Sequence, residues 1–206
     1  MNVTTLKPAA AATQRIDIPA PKTVRIEVAV EGVTPLLMHR FGKKAQAQIA
    51  DKQAKKAAKS KKARDPEAEY LDSIYRDADG DAAMPVVNFK ASFLRVWELV
   101  GMKNKNNIRF GMMLPGEFVK VIGKPRMRTD YVRIPGGSSL TYRAEFVKWS
   151  VVLPIIINTN VLSIEQALNI VAEAGQACGV GDWRPEKSSG TFGTWKIRQA
   201  LGVQQS

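Results

Sequence analysis

Along "TVRIEVAVEG" the apolar residues Val24, Ile26, Val28 and Val30 alternate with Arg25, Glu27 and Glu31, a pattern that predicts a half-buried strand ended by Gly32. The spacing then changes. In "NFKASFLRVWELVG" the residues Phe89, Phe93, Val96, Trp97 and Val100 share one helical face. Asn88 is placed to cap that helix and Gly101 to stop it, so residues 88–101 are expected to be helical. "GEFVKVI" (116–122) reads as a second strand. Alternation returns over residues 144–157 at Val147, Trp149, Val151, Leu153, Ile155 and Ile157; Pro154, with no N–H to give a ladder, implies an edge position or a strand end. "SIEQALNIVAEAG" opens on the capping-box pair Ser163 and Gln166 and buries Ile164, Ala167, Leu168, Val171 and Ala172 as a helical stripe. "GTFGTWKIRQ" reads as a short last strand.

Strand, helix, strand, strand, helix, strand is the order of a split βαβ unit. The expectation is therefore an α+β fold of the ferredoxin-like or RRM-like kind: a four-stranded antiparallel sheet with two helices on one face and the other face free. With 206 residues, 45% of them hydrophobic, the chain can bury one sizeable core. Residues 23–200 are expected to form that single domain, interrupted by insertions at 40–80 and 103–143. A Pro/Ala-rich tail (1–22) precedes it and a short tail (201–206) follows.

Charge adds a feature that the periodicities do not contain. The net charge is +12, and residues 40–64 alone hold ten Lys or Arg against one acid, Asp51. That stretch is rich in Ala, Lys and Gln, without Gly or Pro between Lys43 and Asp65, and so favours a helix. Its like charges repel, and it has few apolar residues with which to anchor itself to a core. Lys43, Lys44, Lys55, Lys56, Lys59, Lys61, Lys62 and Arg64 thus belong either to a solvated excursion or to an arm that orders on a polyanion.

Two further stretches concentrate cations. In "KVIGKPRMRTDYVRIPGG" the residues Lys120, Lys124, Arg126, Arg128 and Arg133 face a single acid, Asp130, with Tyr131 among them, in what reads as a hairpin or loop. "GVGDWRPEKSSGTFGTWKIRQ" sets Gly179, Gly181, Gly190 and Gly193 around Trp183, Arg184, Lys187, Phe192 and Trp195. Glycines let a backbone approach a phosphate and aim N–H groups at it; Arg184 and Lys187 would add charge, and the aromatic rings a base-stacking surface. The competing account is that the tryptophans are core and the glycines serve a turn.

Signals for catalysis are weak. His39, the only histidine, follows an apolar run and reads as a strand-end residue packed near the sheet. Asp65, Glu67, Glu69 and Asp72 sit at helical spacing beside the lysine tract and balance it, and Asp182 can pair with Arg184 or cap a turn as readily as bind a metal. Phosphate-loop, dinucleotide, zinc and nucleophile-elbow patterns are absent from the sequence, so no cofactor, metal or catalytic residue is expected. The single cysteine, Cys178, excludes an internal disulfide framework. No apolar run approaches the length of a membrane span, and the N-terminus has no signal-type apolar core, so the expectation is a cytoplasmic protein without a membrane partner.

Three segments together resemble the signatures of the RAMP superfamily, the backbone subunits of CRISPR effector complexes. They are "VEGVTPLLMH" (30–39), "MPVVNFKASFLR" (84–95) and the glycine-rich loop before the last strand. Pro85, Lys90 and Arg95 stand at matching places of the helix signature, whereas Asn88 and Ala91 depart from it and Pro185-Glu186-Lys187 interrupts the loop. The whole chain is also similar to small proteins of tailed phages. The resemblance implies non-catalytic binding of single-stranded DNA or RNA, with Lys90 and Arg95 at the strand and 120–133 placed like the family's thumb. It also implies a homo-oligomer or filament along the strand. A RAMP-type metal-dependent ribonuclease and a phage structural or host-interaction protein are the alternatives; no acid here matches the loop aspartate with which some family members cut RNA.

Overall fold

The computed structural model describes residues 20–54, 63–134, 136–187 and 189–205. Its elements are β1 (Thr23–Gly32), β2 (Leu36–Met38), α1 (Lys43–Gln53), α2 (Pro66–Asp72), β3 (Ala83–Pro85), α3 (Val86–Arg95) and α4 (Asn106–Gly111). They continue with β4 (Met112–Met113), β5 (Phe118–Lys120), β6 (Pro125–Ile134), β7 (Gly137–Phe146), β8 (Ser150–Asn158), α5 (Ile164–Ala177) and β9 (Trp195–Gln205). The fold is α+β with antiparallel pairing throughout these strands. Most of the expected N-terminal tail lies outside the described residues, as do Lys55, Lys56, Lys59, Lys61 and Lys62.

The main sheet has the order β4-β8-β1-β9. Alternation on β1 and β8 does what it predicts: Ile26, Val28, Val30, Val151, Leu153, Ile155 and Ile157 are buried on one face, each such burial contributing about 1.5–3 kcal/mol. The other face carries Arg25, Glu27 and Val152 into solvent. Helices α3 and α5 cover the buried face and touch each other, α3 through Phe89 and Phe93 and α5 through Ala167, Ile170, Val171 and Ala174. Trp195 locks them to β9: its ring meets Phe89 edge-on at 5.4 Å, and its indole N–H donates to the Val171 carbonyl at 3.2 Å. The Ser163/Gln166 capping box is formed in full.

Four sequence expectations need correction. The first helix starts at Val86 behind Pro85, whose fixed φ suits a helix start, and it ends at Arg95; Val96 to Gly101 continue as turns, with Val96 buried and Trp97 and Val100 still packed on the core. Residues 116–122 do not join the main sheet. Only Phe118–Lys120 is a strand, paired with β3, while the short β4 takes the place beside β8. Residues 144–157 form two strands rather than one, because the chain changes sheets at 147–149; Trp149 lies over Gly32, where a Cβ would sit 2.1 Å from its indole nitrogen. Pro154 is tolerated inside the sheet because β4 pairs only with Ile156 and Ile157 and stops short of it. Residues 201–205 are not a tail: β9 runs on to pair Leu201 with Glu27 and Gln205 with Val24.

A second sheet, β2-β7-β6, is built on the long β6–β7 hairpin, which realises the expected hairpin. Where the basic insertion returns, α2 is capped by Asp65 and packs against β7, and Ile74 is buried in the core, so this end of the 40–80 insertion is anchored. Its two roots are joined by a bond from the Arg40 N–H to the Ser73 carbonyl at 3.0 Å.

Candidate nucleic-acid interface

The glycine-rich loop closes on itself and on β2. Val180 N–H donates to the Gly193 carbonyl, Phe192 N–H to Trp183, Asp182 N–H to Leu37 and Gly193 N–H to Pro35, all within 3.1 Å. The glycines make that closure sterically possible. A Cβ on Gly193 would lie 1.8 Å from the Val180 carbonyl oxygen, and one on Gly190 would lie 1.7 Å from that of Trp183. Their backbone freedom is thus used against the chain's own backbone, and Trp183 itself takes a left-handed conformation, φ 52°.

Beneath the loop, one face of the hairpin carries a charge network. Arg143, 2% exposed, donates to Asp182 at 2.7 Å and lies over the Trp183 ring at 4.4 Å. Arg128 donates to Asp130 and Glu145 and lies 5.1 Å from the centre of Phe192, and Arg126 pairs with Glu145 at 2.6 Å. Burial alone would raise the pKa of Glu145, but hydrogen bonds from Arg126 and Arg128 bring it below the usual carboxylate range. A hydrogen bond from His39, supported by the charge of Arg143, likewise holds Asp182 low against its burial. Asp130 Oδ2 and Arg143 Nε face each other at 3.7 Å without a hydrogen-bond partner among the described residues.

The expected site residues therefore separate into groups. Lys90 is not available to a ligand: its ammonium is turned inward onto the carbonyls of Ile108, Arg109 and Met112 at the end of α4, and burial, then Arg109, lowers its pKa to about 8. Trp195 is core rather than a stacking surface, and Trp183 has a ring face covered by Arg143. Arg126 and Arg128 are neutralised in the network, Lys120 pairs with Asp81, Arg95 with Glu186, and Arg184 with Glu186. Arg64 grips Glu69, reaches Ser139 on the hairpin and lies 5.7 Å from the centre of Tyr142. Lys124, Arg133 and Lys187 are exposed with no ion pair to another described residue, and Lys43 and Lys44 begin α1.

Lys187 and Arg184 border a cavity of about 330 Å³ whose other polar walls are His39, Asn88 and Asp182, in front of the fully buried Leu37, Met84 and Val180. A second cavity, about 250 Å³, is lined by Arg40, Phe41, Gln46, Tyr75, Arg76 and Phe118. Tyr75 lines both. The two cavities adjoin at Tyr75 and are lined in part by two stretches of the chain at the basic insertion, 39–41 and 75–76. His39 is half exposed here, its Nδ1 3.4 Å from Asp182, rather than packed near the sheet. Sequence reasoning assigned no binding role to Arg40, Phe41, Tyr75, Arg76 or Phe118; the one local signal was that "MHRFG" and "IYRD" bracket the lysine tract.

Among the described residues no three His, Cys, Asp or Glu side chains are grouped to hold a metal ion, and no helix is long and apolar enough to cross a membrane. No protein-family model matches the chain, and no curated protein matches it in sequence.

Proposed function

We propose that the chain is a ferredoxin-like, RAMP-type domain that binds single-stranded nucleic acid without cleaving it. The frame is supported by the strand order β4-β8-β1-β9, the order expected of a split βαβ unit if these are taken as its second, third, first and fourth strands, and by the contact between helices α3 and α5. The outward face of the main sheet is not the binding surface in this reading, because the outward residues of β1 and β8, such as Arg25, Glu27, Val152 and Ile156, offer no aromatic platform. The observation that carries the reading is the groove at Tyr75. Arginines, a lysine and three aromatic rings converge there, and the cation-rich α1 begins two residues beyond Phe41. A groove that alternates charge with flat rings fits a strand whose bases are unpaired, since a duplex keeps its base faces stacked inside.

The test is a mobility-shift titration with labelled single-stranded DNA, single-stranded RNA and duplex, each with and without magnesium. Retarded, intact single strands with weaker duplex binding are expected. A shortened strand would instead indicate a nuclease, and no retardation of any nucleic acid would indicate a structural or protein-binding role; either outcome overturns the proposal.

A further inference from the structure

We infer that the two cavities are consecutive nucleotide subsites, each accepting one base of a single strand, with Tyr75 as the wall between them. The inference rests on the reading of the chain as a single-strand binder and goes beyond it by locating the bases. The subsites differ in chemistry. The first sets the side-chain amide of Asn88, the His39 imidazole and the Asp182 carboxylate around the partly exposed Tyr75, an arrangement that lets a flat ring lie against Tyr75 while its rim is hydrogen-bonded; Leu37, Met84 and Val180 lie behind it, fully buried. Lys187, exposed and without an ion pair to another described residue, stands at the edge of the same cavity, where a phosphate attached to that base would emerge, beside Arg184, which is held by Glu186. The second presents Phe41 and Phe118 for stacking, with Arg76, one of whose N–H groups donates to the Gly80 carbonyl, for the next phosphate; Arg40 at its edge is paired with Asp72 at 3.8 Å.

Size and spacing agree with one base each. Cavities of about 330 and 250 Å³ lie near the small end of the range of ligand pockets and have room for one flat ring each. His39 lines the first cavity and Phe41 the second, and two residues of chain reach at most about 7 Å. Lining residues that close together, with Tyr75 shared, set the two cavities side by side, as consecutive bases of one strand require.

The experiment compares a fluorescein-labelled ten-nucleotide single strand with the same strand carrying two adjacent abasic sites at every register, by anisotropy. Stacking and edge contacts predict at least about tenfold weaker binding of the abasic strands. Phe41→Ala, at a side chain 53% exposed and so tolerable to the fold, should narrow that difference, whereas Arg76→Gln should weaken intact and abasic strands alike. Equal binding of intact and abasic strands by the parent would mean that only phosphates are held and would overturn the inference while leaving strand binding intact. An abasic penalty unchanged by Phe41→Ala would place the bases elsewhere and overturn it as well. If neither strand binds, both this inference and the single-strand reading fail.

Discussion

Gly193→Ala separates a loop closed on its own backbone from one held open for a ligand. Gly193 has φ +70°, and Gly101 has φ +71°, so an alanine at either position meets the same left-handed penalty, about 1–2 kcal/mol. Their surroundings differ completely. Nothing lies within 4 Å of a Cβ at Gly101, whereas one at Gly193 would be 1.8 Å from the Val180 carbonyl oxygen, against an ordinary contact of 3.4–4 Å. Backbone has to move by more than an ångström, which disrupts the bonds from Val180 N–H to Gly193 at 2.9 Å and from Gly193 N–H to Pro35 at 2.8 Å. Each lost bond costs about 1 kcal/mol, and more where a buried partner is left unsatisfied, so Gly193→Ala is expected to cost about 2–4 kcal/mol beyond Gly101→Ala. For a domain of this size that corresponds to a Tm about 4–16 °C lower than that of the Gly101→Ala protein. Thermal melts of the two variants side by side provide the measurement. Equal Tm values would refute the reasoning, because the loop would then have slack where backbone closure leaves none.

Two more outcomes follow from the charges. Replacing the eight lysines between 43 and 62 by glutamine keeps good helix formers and should leave the melting temperature nearly unchanged. The salt dependence of single-strand binding should flatten by about 0.7 in log–log slope for each lysine that meets a phosphate; an unchanged slope would remove the arm from the interface. Glu145→Gln should cost about 1–3 kcal/mol at neutral pH, through weaker bonds to Arg126 and Arg128. Because the pKa of Glu145 is depressed in the folded protein, that advantage is present above about pH 4.5 and is lost as pH falls through the folded value. Urea midpoints of parent and variant should converge in acid, and a constant gap would contradict the assignment.

The regular elements were legible because their signals are local. Alternation on β1 and β8 and the capping box of α5 need no knowledge of the rest of the chain. What was hidden depended on contacts distant in sequence. The end of α3 at Arg95 could not be seen from "NFKASFLRVWELVG", since Trp97 and Val100 remain apolar and packed after the helix has given way to turns. "GEFVKVI" (116–122) reads as the second strand of the main sheet, yet that position is taken by Met112–Met113, too short for any periodicity. The hairpin cations looked unopposed because only Asp130 is nearby in sequence; Glu145 reaches Arg126 and Arg128 across the ladder, and Asp182 reaches Arg143 from the loop. The aromatic groove was illegible for the same reason, since Phe41, Tyr75 and Phe118 come together only when the roots of the insertion close at Arg40 and Ser73.

This pairing decides where the basicity acts. Arg126, Arg128 and Arg143 are matched to Asp130, Glu145 and Asp182, so the middle of the hairpin contributes little net field despite its composition. The surplus of positive charge lies between residues 40 and 64, in the arm whose roots line the two cavities in part. Mutually repelling charge of this kind acts at long range and is screened by salt, so in the proposed mechanism the arm raises the rate at which a strand is captured. Desolvated stacking in the groove acts only after contact and resists release. Lysine substitutions in the arm should therefore appear mainly in the association rate, and substitutions at Phe41 or Tyr75 in the dissociation rate. In that proposal a strand captured by the arm passes next to Phe41, two residues before α1 begins.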